Sequence, residues 1–365
     1  MKRYFVLLIL LFLISLNLRI YSQGDERSFY KSSPIGNYGG KLNPDLSLVV
    51  DMQGLFTNAE DNNEYGKVLL KGAELVFGQY LYPSIKGDVV ISFEQEYAKE
   101  KKINSEIHLE EAYISFLELP LGLQLVIGRK LIDFGKHNQS HPHHWKYVDT
   151  PLIYKHIFGS HPWADDLVNL SFLLPNPLNI YLKESVSIIN GRSLEHHHEH
   201  EEEENIDEHH HGIHWEGKVF NSRTSVDLPW INSILSYSRA WNEKNDSVIQ
   251  NIELTYKYQF PGYVYRLVKL QNEYIWGECC NREIKSGLYS MLSFALSQYV
   301  ELGVRYDAIF NDGEIENWAG NIFSTYYFTH SFYLRGQYQY RSSQENTFYL
   351  HLSWGVGPHS HRLED

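Results

Sequence analysis

The sequence predicts an all-β protein, a transmembrane antiparallel up-and-down β-barrel of about 16 strands. Three observations indicate this fold: a period-two alternation of apolar and polar residues, the length of the alternating segments, and the arrangement of the connections between them. Alternation with a period of two is the pattern of strands with two different faces. The clearest segments run for about 10 to 13 residues, whereas strands of soluble proteins cluster near 5 or 6.

The alternation is most regular in the second half of the chain. In residues 248–260 and 299–310, apolar side chains alternate with polar or charged ones, and the last two strands, near 332–341 and 347–356, repeat the pattern. Charged residues such as Arg305 and Arg335 are expected to face the lumen, because a lipid-facing Arg at mid-depth costs about 2–4 kcal/mol. Residues 105–118 alternate less cleanly, and their register stays open.

The connections predict the orientation of the barrel. Short connections, such as Pro175-Asn176-Pro177 and Phe260-Pro261-Gly262, are expected to alternate with longer ones. The longer ones are placed at 57–67, 97–105, 131–165, 191–215, 242–247, 277–285, 311–316 and 341–346. Outer-membrane barrels have short periplasmic turns and longer external loops. Both termini are therefore expected on the periplasmic side, with the long loops outside.

The first residues read as a secretory signal. Lys2 and Arg3 precede an apolar run from Tyr4 to Leu18, and a small residue follows at Ser22. We therefore predict a signal peptide at 1–23, a short N-terminal segment at 24–44, the barrel at 45–357 and a C-terminal tail at 358–365. Since no other apolar run reaches about 18 residues, no helical membrane span is expected. The predicted location is the outer membrane of a Gram-negative-type bacterium.

Composition narrows the partners. Aromatic residues make up 15% of the chain, with 27 Tyr and 8 Trp, as expected for the interfacial girdles of a barrel. The net charge of −13 comes largely from one acidic loop, and no basic patch suggests nucleic acid. The expected partners are outer-membrane lipid and small solutes or metal ions, and assembly as a homotrimer is left open. Cys279 and Cys280 exclude a disulfide framework; a vicinal disulfide, a soft metal contact and an incidental pair are the alternatives.

Fourteen of the 19 histidines fall in two of the long connections. The 191–215 connection, called loop four, combines eight histidines with eight carboxylates. Its histidines are His196, His197, His198, His200, His209, His210, His211 and His214. Imidazoles and carboxylates are ligands for Zn, Ni, Cu or Co, so metal capture is predicted. The alternative is a solvated low-complexity loop with no selected ligand. No cofactor is required, and zinc or another divalent transition metal is the candidate ligand.

The 131–165 connection is the other histidine-rich segment. It contains aromatic residues and prolines as well as His137, His141, His143 and His144. Loops this long inside a compact domain are usually functional, and we expect this one to fold into the lumen and narrow the pore. The last three of these histidines would then line a constriction with Asp149, Asp165 and Asp166. The alternative is that these side chains only pack the loop against the wall.

Several short segments resemble a family of bacterial porin-like outer-membrane proteins often labelled zinc-regulated outer-membrane receptors. These segments are Leu42-Asn-Pro-Asp-Leu46, Ala73–Phe77, Glu110–Phe116, Phe134-Gly-Lys136, His141-Pro-His143, Val148–Pro151 and Gly355–His359. The resemblance implies a barrel and a link to metal supply. An energised receptor would carry an N-terminal plug domain and some 22 strands, whereas only about 20 residues separate the predicted signal peptide from the first strand here. A passive channel is therefore the better expectation.

The leading functional prediction is a porin-like channel for small solutes, including divalent metal ions captured by the His/Glu-rich loops, with a weak preference for cations. The alternative is a non-conducting barrel that binds metal or mediates adhesion at the surface. A barrel enzyme is less favoured, because no Gly-x-Ser-x-Gly elbow occurs and the histidines come in runs rather than as one positioned base. The chain is therefore not expected to be an enzyme.

Overall fold

A computed structural model describes residues 44–58, 67–97, 103–178, 180–191, 215–244, 246–279 and 282–357. The predicted signal peptide at 1–23, all but the last residue of the 24–44 segment and the 358–365 tail lie outside these ranges. So do Cys280 and the eight histidines of loop four. Among the described residues, no helix is both long enough and apolar enough to cross a membrane.

The predicted fold class is confirmed, because sixteen antiparallel strands form one closed barrel. The strands are β1 Asp45–Thr57, β2 Lys67–Tyr82, β3 Ile85–Tyr97, β4 Ile103–Phe116, β5 Gln124–Leu131, β6 Ala164–Leu173, β7 Leu182–Ile189, β8 Val219–Leu228, β9 Ser233–Asn242, β10 Ser247–Gln259, β11 Leu267–Cys279, β12 Arg282–Ala295, β13 Val300–Asn311, β14 Glu314–Thr329, β15 Phe332–Arg341 and β16 Asn346–Val356. Each strand pairs with its neighbours in sequence, and β1 pairs with β16, with Leu48 opposite Val356. Closure gives every strand a hydrogen-bonded neighbour on both sides, the arrangement by which a sheet can satisfy its backbone groups in hydrocarbon.

The two faces of the barrel differ as the alternation predicts. On β13, Val304 and Tyr306 point outward and are 47% and 41% exposed, while Arg305 between them is 1% exposed and points inward. Arg335 on β15 is also buried on the inner face. The expectation that both arginines face the lumen is confirmed. The outer wall is therefore apolar, and the charged side chains of these strands lie on the inner face.

The predicted alternation of short and long connections is wrong for the second half of the chain. Instead of long loops at 277–285 and 311–316, β11 extends to Cys279 and β13 extends to Asn311. The turn between β13 and β14 consists of Asp312 and Gly313, both with positive φ, the requirement of a tight two-residue hairpin turn. The sequence predicted loops here because the ends of β11 and β13 are polar, and a polar strand end has the same composition as a loop. Cys279 therefore ends a strand and does not lie in a loop.

The connection between β5 and β6 lies inside the barrel. This segment, residues 132–163, is called the inner loop. It contains one helix, α1 Leu152–Phe158, and two single turns of 3₁₀ helix, His137–Gln139 and Pro142–His144. Most of its large side chains are buried against the inner faces of the strands, which confirms the prediction of a loop folded into the lumen.

Candidate functional site

Aromatic and aliphatic side chains fix one side of the inner loop to the barrel. The contributing loop residues are Ile132, Phe134, Trp145, Tyr147, Ile153, Tyr154, Ile157, Phe158 and Trp163. They pack on Trp215, Val219, Ala240, Ile249, Ile275, Tyr289, Met291 and Phe323. Phe158 and Trp163 stack with ring centroids 5.1 Å apart, and Trp163 stacks on Trp215 at 5.9 Å. The wall formed by β8–β15 thus anchors the loop, and it is called the anchoring wall.

Asp149 forms the main polar contact with the anchoring wall. Arg305 donates to its carboxylate at 2.9 Å and to its backbone carbonyl at 2.9 Å. Gln337 and Gln339 also donate to the carboxylate. Asp149 was expected to line a constriction, but its acceptors are engaged by three wall side chains. Its role is to hold the loop in place.

The other two predicted aspartates are also not at a constriction. Asp165 is buried on β6 and accepts the backbone N–H groups of Asp166 and Gly191. The side chain of Asp166 is exposed, because it follows Asp165 on the strand and points to the other face. The expectation that these carboxylates line the constriction is wrong.

His137 belongs to the anchored side of the loop. Its ring lies between those of Trp145 at 4.2 Å and Tyr154 at 4.5 Å, and its Nδ1 is 2.8 Å from the Tyr147 hydroxyl. Burial and the positive charge of Arg305 lower the pKa of His137 well below its ordinary value. A neutral imidazole packed among aromatic rings is a structural residue.

His141 lies on the opposite side of the loop, among carboxylates of β2 and β4. Its Nδ1 is 2.8 Å from Glu110 Oε2 and 3.5 Å from Glu74 Oε2, and its Nε2 is 3.3 Å from Glu111 Oε2. His143 Nδ1 lies 3.6 Å from the same Glu74 oxygen, and the two imidazoles are parallel with centroids 5.9 Å apart. These five residues are called the His141 cluster. His144 adjoins it, with its ring 4.1 Å from that of His143.

A β-bulge explains why two consecutive glutamates reach the same site. Val90 of β3 pairs with Glu111 and Ile91 pairs with Leu109, so that Glu110 has no partner across the ladder. An extra residue in one strand re-aims its side chain and shifts the alternation beyond it. Glu110 and Glu111 therefore both face the lumen. The bulge also accounts for the irregular alternation of residues 105–118.

The cluster is buried and its hydrogen bonding is incomplete. Glu74 Oε1 has no hydrogen-bond partner, and His141 Nδ1 approaches Glu110 without hydrogen-bond geometry. Glu111 is held by the backbone N–H of Leu131 at 2.9 Å. Burial alone lowers the pKa of His141, but the charges of Glu74, Glu110 and Glu111 outweigh it and hold this pKa well above the ordinary value. The site thus favours a cation.

The His141 cluster borders a cavity of about 750 Å³ between the inner loop and the wall of β2–β10. Glu74, Glu111, His141 and His144 contribute to its lining, and it extends to Lys257 near the end of β10 that leads to β11. Apart from histidines, six acidic and six basic side chains line it. The cavity is polar but carries no strong net charge of its own.

Of the four predicted inner-loop ligands, the structure brings only His141 and His143 to carboxylates among the contacts described here. His137 packs elsewhere, and the loop-four histidines lie outside the described residues. Sequence reasoning missed Glu74, Glu110 and Glu111 as candidate ligands. The signal for two of them was present, because a pair of adjacent glutamates interrupts an alternating strand.

No family model matches the chain. An uncharacterized protein of Aquifex aeolicus (strain VF5) is 26% identical over 195 residues, covering 48% of this chain and 39% of that protein. The chain therefore matches well under two thirds of the length of this relative.

Solved structures resemble the barrel over most of its length. The outer-membrane channel DcaP of Acinetobacter baumannii is 10% identical with a TM-score of 0.54, covering 86% of this chain and 96% of that one. OmpF of Salmonella typhi, solved with daunomycin, is 10% identical with a TM-score of 0.57, covering 86% of this chain and 97% of that one. An anion-selective porin from Comamonas acidovorans is 10% identical with a TM-score of 0.54, covering 86% of this chain and 99% of that one. These likenesses show the fold, a β-barrel of the kind found in outer-membrane channels and porins.

Proposed function

We propose that the protein is an outer-membrane channel for small solutes, divalent metal ions such as zinc among them. The observation that carries this proposal is an inner loop held within a closed barrel of sixteen strands, beside a polar cavity of about 750 Å³. A barrel of this size leaves room for an aqueous channel. The balanced charges of the cavity suit small polar solutes of either sign.

Loop four supplies the second part of the proposal, the capture of divalent ions at the external mouth. Its eight histidines and eight carboxylates offer many sets of three or four ligands. The carboxylates also raise the local concentration of cations. Gly191 and Trp215, the described residues on either side of its histidines, lie in the connection between β7 and β8, at the same end of the barrel as the inner loop.

Conductance of the refolded protein in planar lipid bilayers tests the channel. In the presence of a metal chelator, we expect discrete current steps with small-ion electrolytes. A folded barrel that inserts into the bilayer and gives no steps would reject the channel proposal.

A non-conducting barrel that binds metal at the surface is the second candidate. The observation in its favour is the aromatic cluster on the anchoring wall, which fills that part of the lumen with loop side chains. A solute-exclusion series separates the two candidates, because liposomes containing a channel admit small sugars and exclude larger ones. Liposomes containing a plugged barrel would exclude them all.

A further inference from the structure

We propose that Glu74, Glu110 and His141 form a binding site for one divalent transition-metal ion inside the barrel. The inference deepens the proposed function, because it gives a captured cation a defined site beside the cavity. Carboxylate oxygens and an imidazole nitrogen are ligands that Zn²⁺, Co²⁺, Ni²⁺ and Cu²⁺ accept. Three protein ligands leave a coordination position open, through which an ion can exchange.

The spacing of the donor atoms fits such an ion. One ligand atom from each of the three residues lies within 4.8 Å of the others. Nδ1 of His141 is 2.8 Å from the Glu110 oxygen and 3.5 Å from the Glu74 oxygen. Ligand atoms around a tetrahedral ion with bonds of about 2.0–2.2 Å lie about 3.3–3.6 Å apart. Small side-chain rotations are therefore enough to close the site around a metal.

An unpartnered carboxylate oxygen and the residue behind His141 give independent support for the metal site. The side chain of Glu74 is only 9% exposed, yet its Oε1 has no hydrogen-bond partner. Leaving a buried acceptor without a partner is unfavourable, and a cation bound by both oxygens of the Glu74 carboxylate would satisfy it. Metal-binding histidines commonly direct their other nitrogen to a carboxylate. Here Nδ1 faces Glu74 and Glu110 while Nε2 faces Glu111, which the Leu131 N–H holds in turn.

Two further His/Glu pairs lie on the external side of the site. His108 is 3.2 Å from Glu106, whose side chain is 62% exposed, and His161 is 3.7 Å from Glu94, which is 22% exposed. Glu106 lies four positions before Glu110 on β4, or roughly 13 Å along the strand. At this distance Glu106 lies outside the proposed site, and its pair with His108 takes no part in it.

Cobalt binding to the refolded full-length chain tests the proposal, because Co²⁺ bound by histidine and carboxylates has visible absorption bands. The variants are Glu110→Gln and His141→Gln, and the matched control is Glu106→Gln on the same face of β4. Loop four is present in all of them and contributes equally. We expect wild type and the control to bind one more equivalent than the two site variants, or to bind it at least tenfold more tightly.

Equal stoichiometry and affinity in all four proteins would overturn the site, as would a wild-type chain that binds no Co²⁺. Refolding is checked by circular dichroism and heat-dependent gel mobility. If either variant fails to refold, Glu74→Gln replaces it and must show the same loss. Conductance of the same preparations in chelator is scored separately. If the wild-type protein conducts but binds no Co²⁺, the metal site is rejected and the channel stands. If it binds Co²⁺ but does not conduct, only the channel is rejected.

Discussion

His137 and His141 are separated by one turn of the same loop, yet they lie in opposite environments. His137 packs among aromatic rings, and its pKa is lowered by burial and Arg305. His141 faces three glutamates, which raise its pKa despite burial. Both sides leave buried polar atoms without a hydrogen-bond partner, but on the anchored side of the loop the atom is the indole Nε1 of Trp163, whereas in the His141 cluster it is a carboxylate oxygen of Glu74. Burial alone therefore does not distinguish a structural histidine from a binding one; the charges around the imidazole do.

The largest expected effect comes from removing the charge that holds the anchored side. Arg305→Ala leaves the buried carboxylates of Asp149 and Asp307 without their cation. Breaking a buried pair in this way costs about 3–5 kcal/mol. We expect a large loss of stability in urea titrations and larger, noisier conductance as the loop leaves the wall. Lys244→Ala, which breaks an exposed pair with Glu216, should cost at most about 1 kcal/mol. Similar losses in both variants would contradict the anchoring role of Arg305.

A pair of glycines isolates the packing of the loop from its backbone strain. Gly135 and Gly122 both have positive φ, at 64° and 72°. A Cβ at Gly135 would overlap the Tyr154 hydroxyl and the Glu273 carboxylate, whereas a Cβ at Gly122, in the turn between β4 and β5, would meet nothing within 4 Å. We therefore expect Gly135→Ala to destabilise the barrel more than Gly122→Ala, by about 1–3 kcal/mol. Equal free energies of unfolding for the two variants would show that the loop adjusts around the extra methyl group.

The His141 side is tested by the pH dependence of metal binding. Ligation requires a neutral imidazole, so a proton on His141 competes with the metal. Because the neighbouring carboxylates raise the pKa of His141, affinity for Co²⁺ should begin to fall at a pH above the ordinary value of about 6.5. At pH values below the raised pKa, the affinity for Co²⁺ should fall by about tenfold for each pH unit. Calorimetry in buffers of different ionisation enthalpy should detect the released proton. An affinity that is constant from pH 8 down to pH 6 would place the metal on other ligands.

The sequence predicts the barrel better than it predicts the site, and the reason is the range of the interactions. Alternation is local, so the inward direction of Arg305 and Arg335 follows from residues next to them. The roles of the loop residues depend on partners far along the chain. Asp149 is occupied because Arg305, 156 residues away, donates to it. The irregular alternation near Glu110 is visible in the sequence, but only pairing with Val90 and Ile91 shows which residue is extra.

The smallest expected effect concerns loop four and the selectivity of the channel. Acidic and basic side chains balance in the cavity, so a preference for cations must come mainly from the mouth. Deleting residues 195–211 removes eight carboxylates and no described strand. We expect the reversal potential in a KCl gradient to shift modestly toward the non-selective value. The shift should be largest in dilute salt, because the Debye length falls from about 30 Å at 0.01 M to about 3 Å at 1 M.

Since the deletion leaves the His141 cluster in place, the Co²⁺ equivalent that depends on Glu110 should survive it. If that equivalent disappears with the loop while selectivity is unchanged, the metal belongs to loop four, and the inner loop is structural on both of its sides.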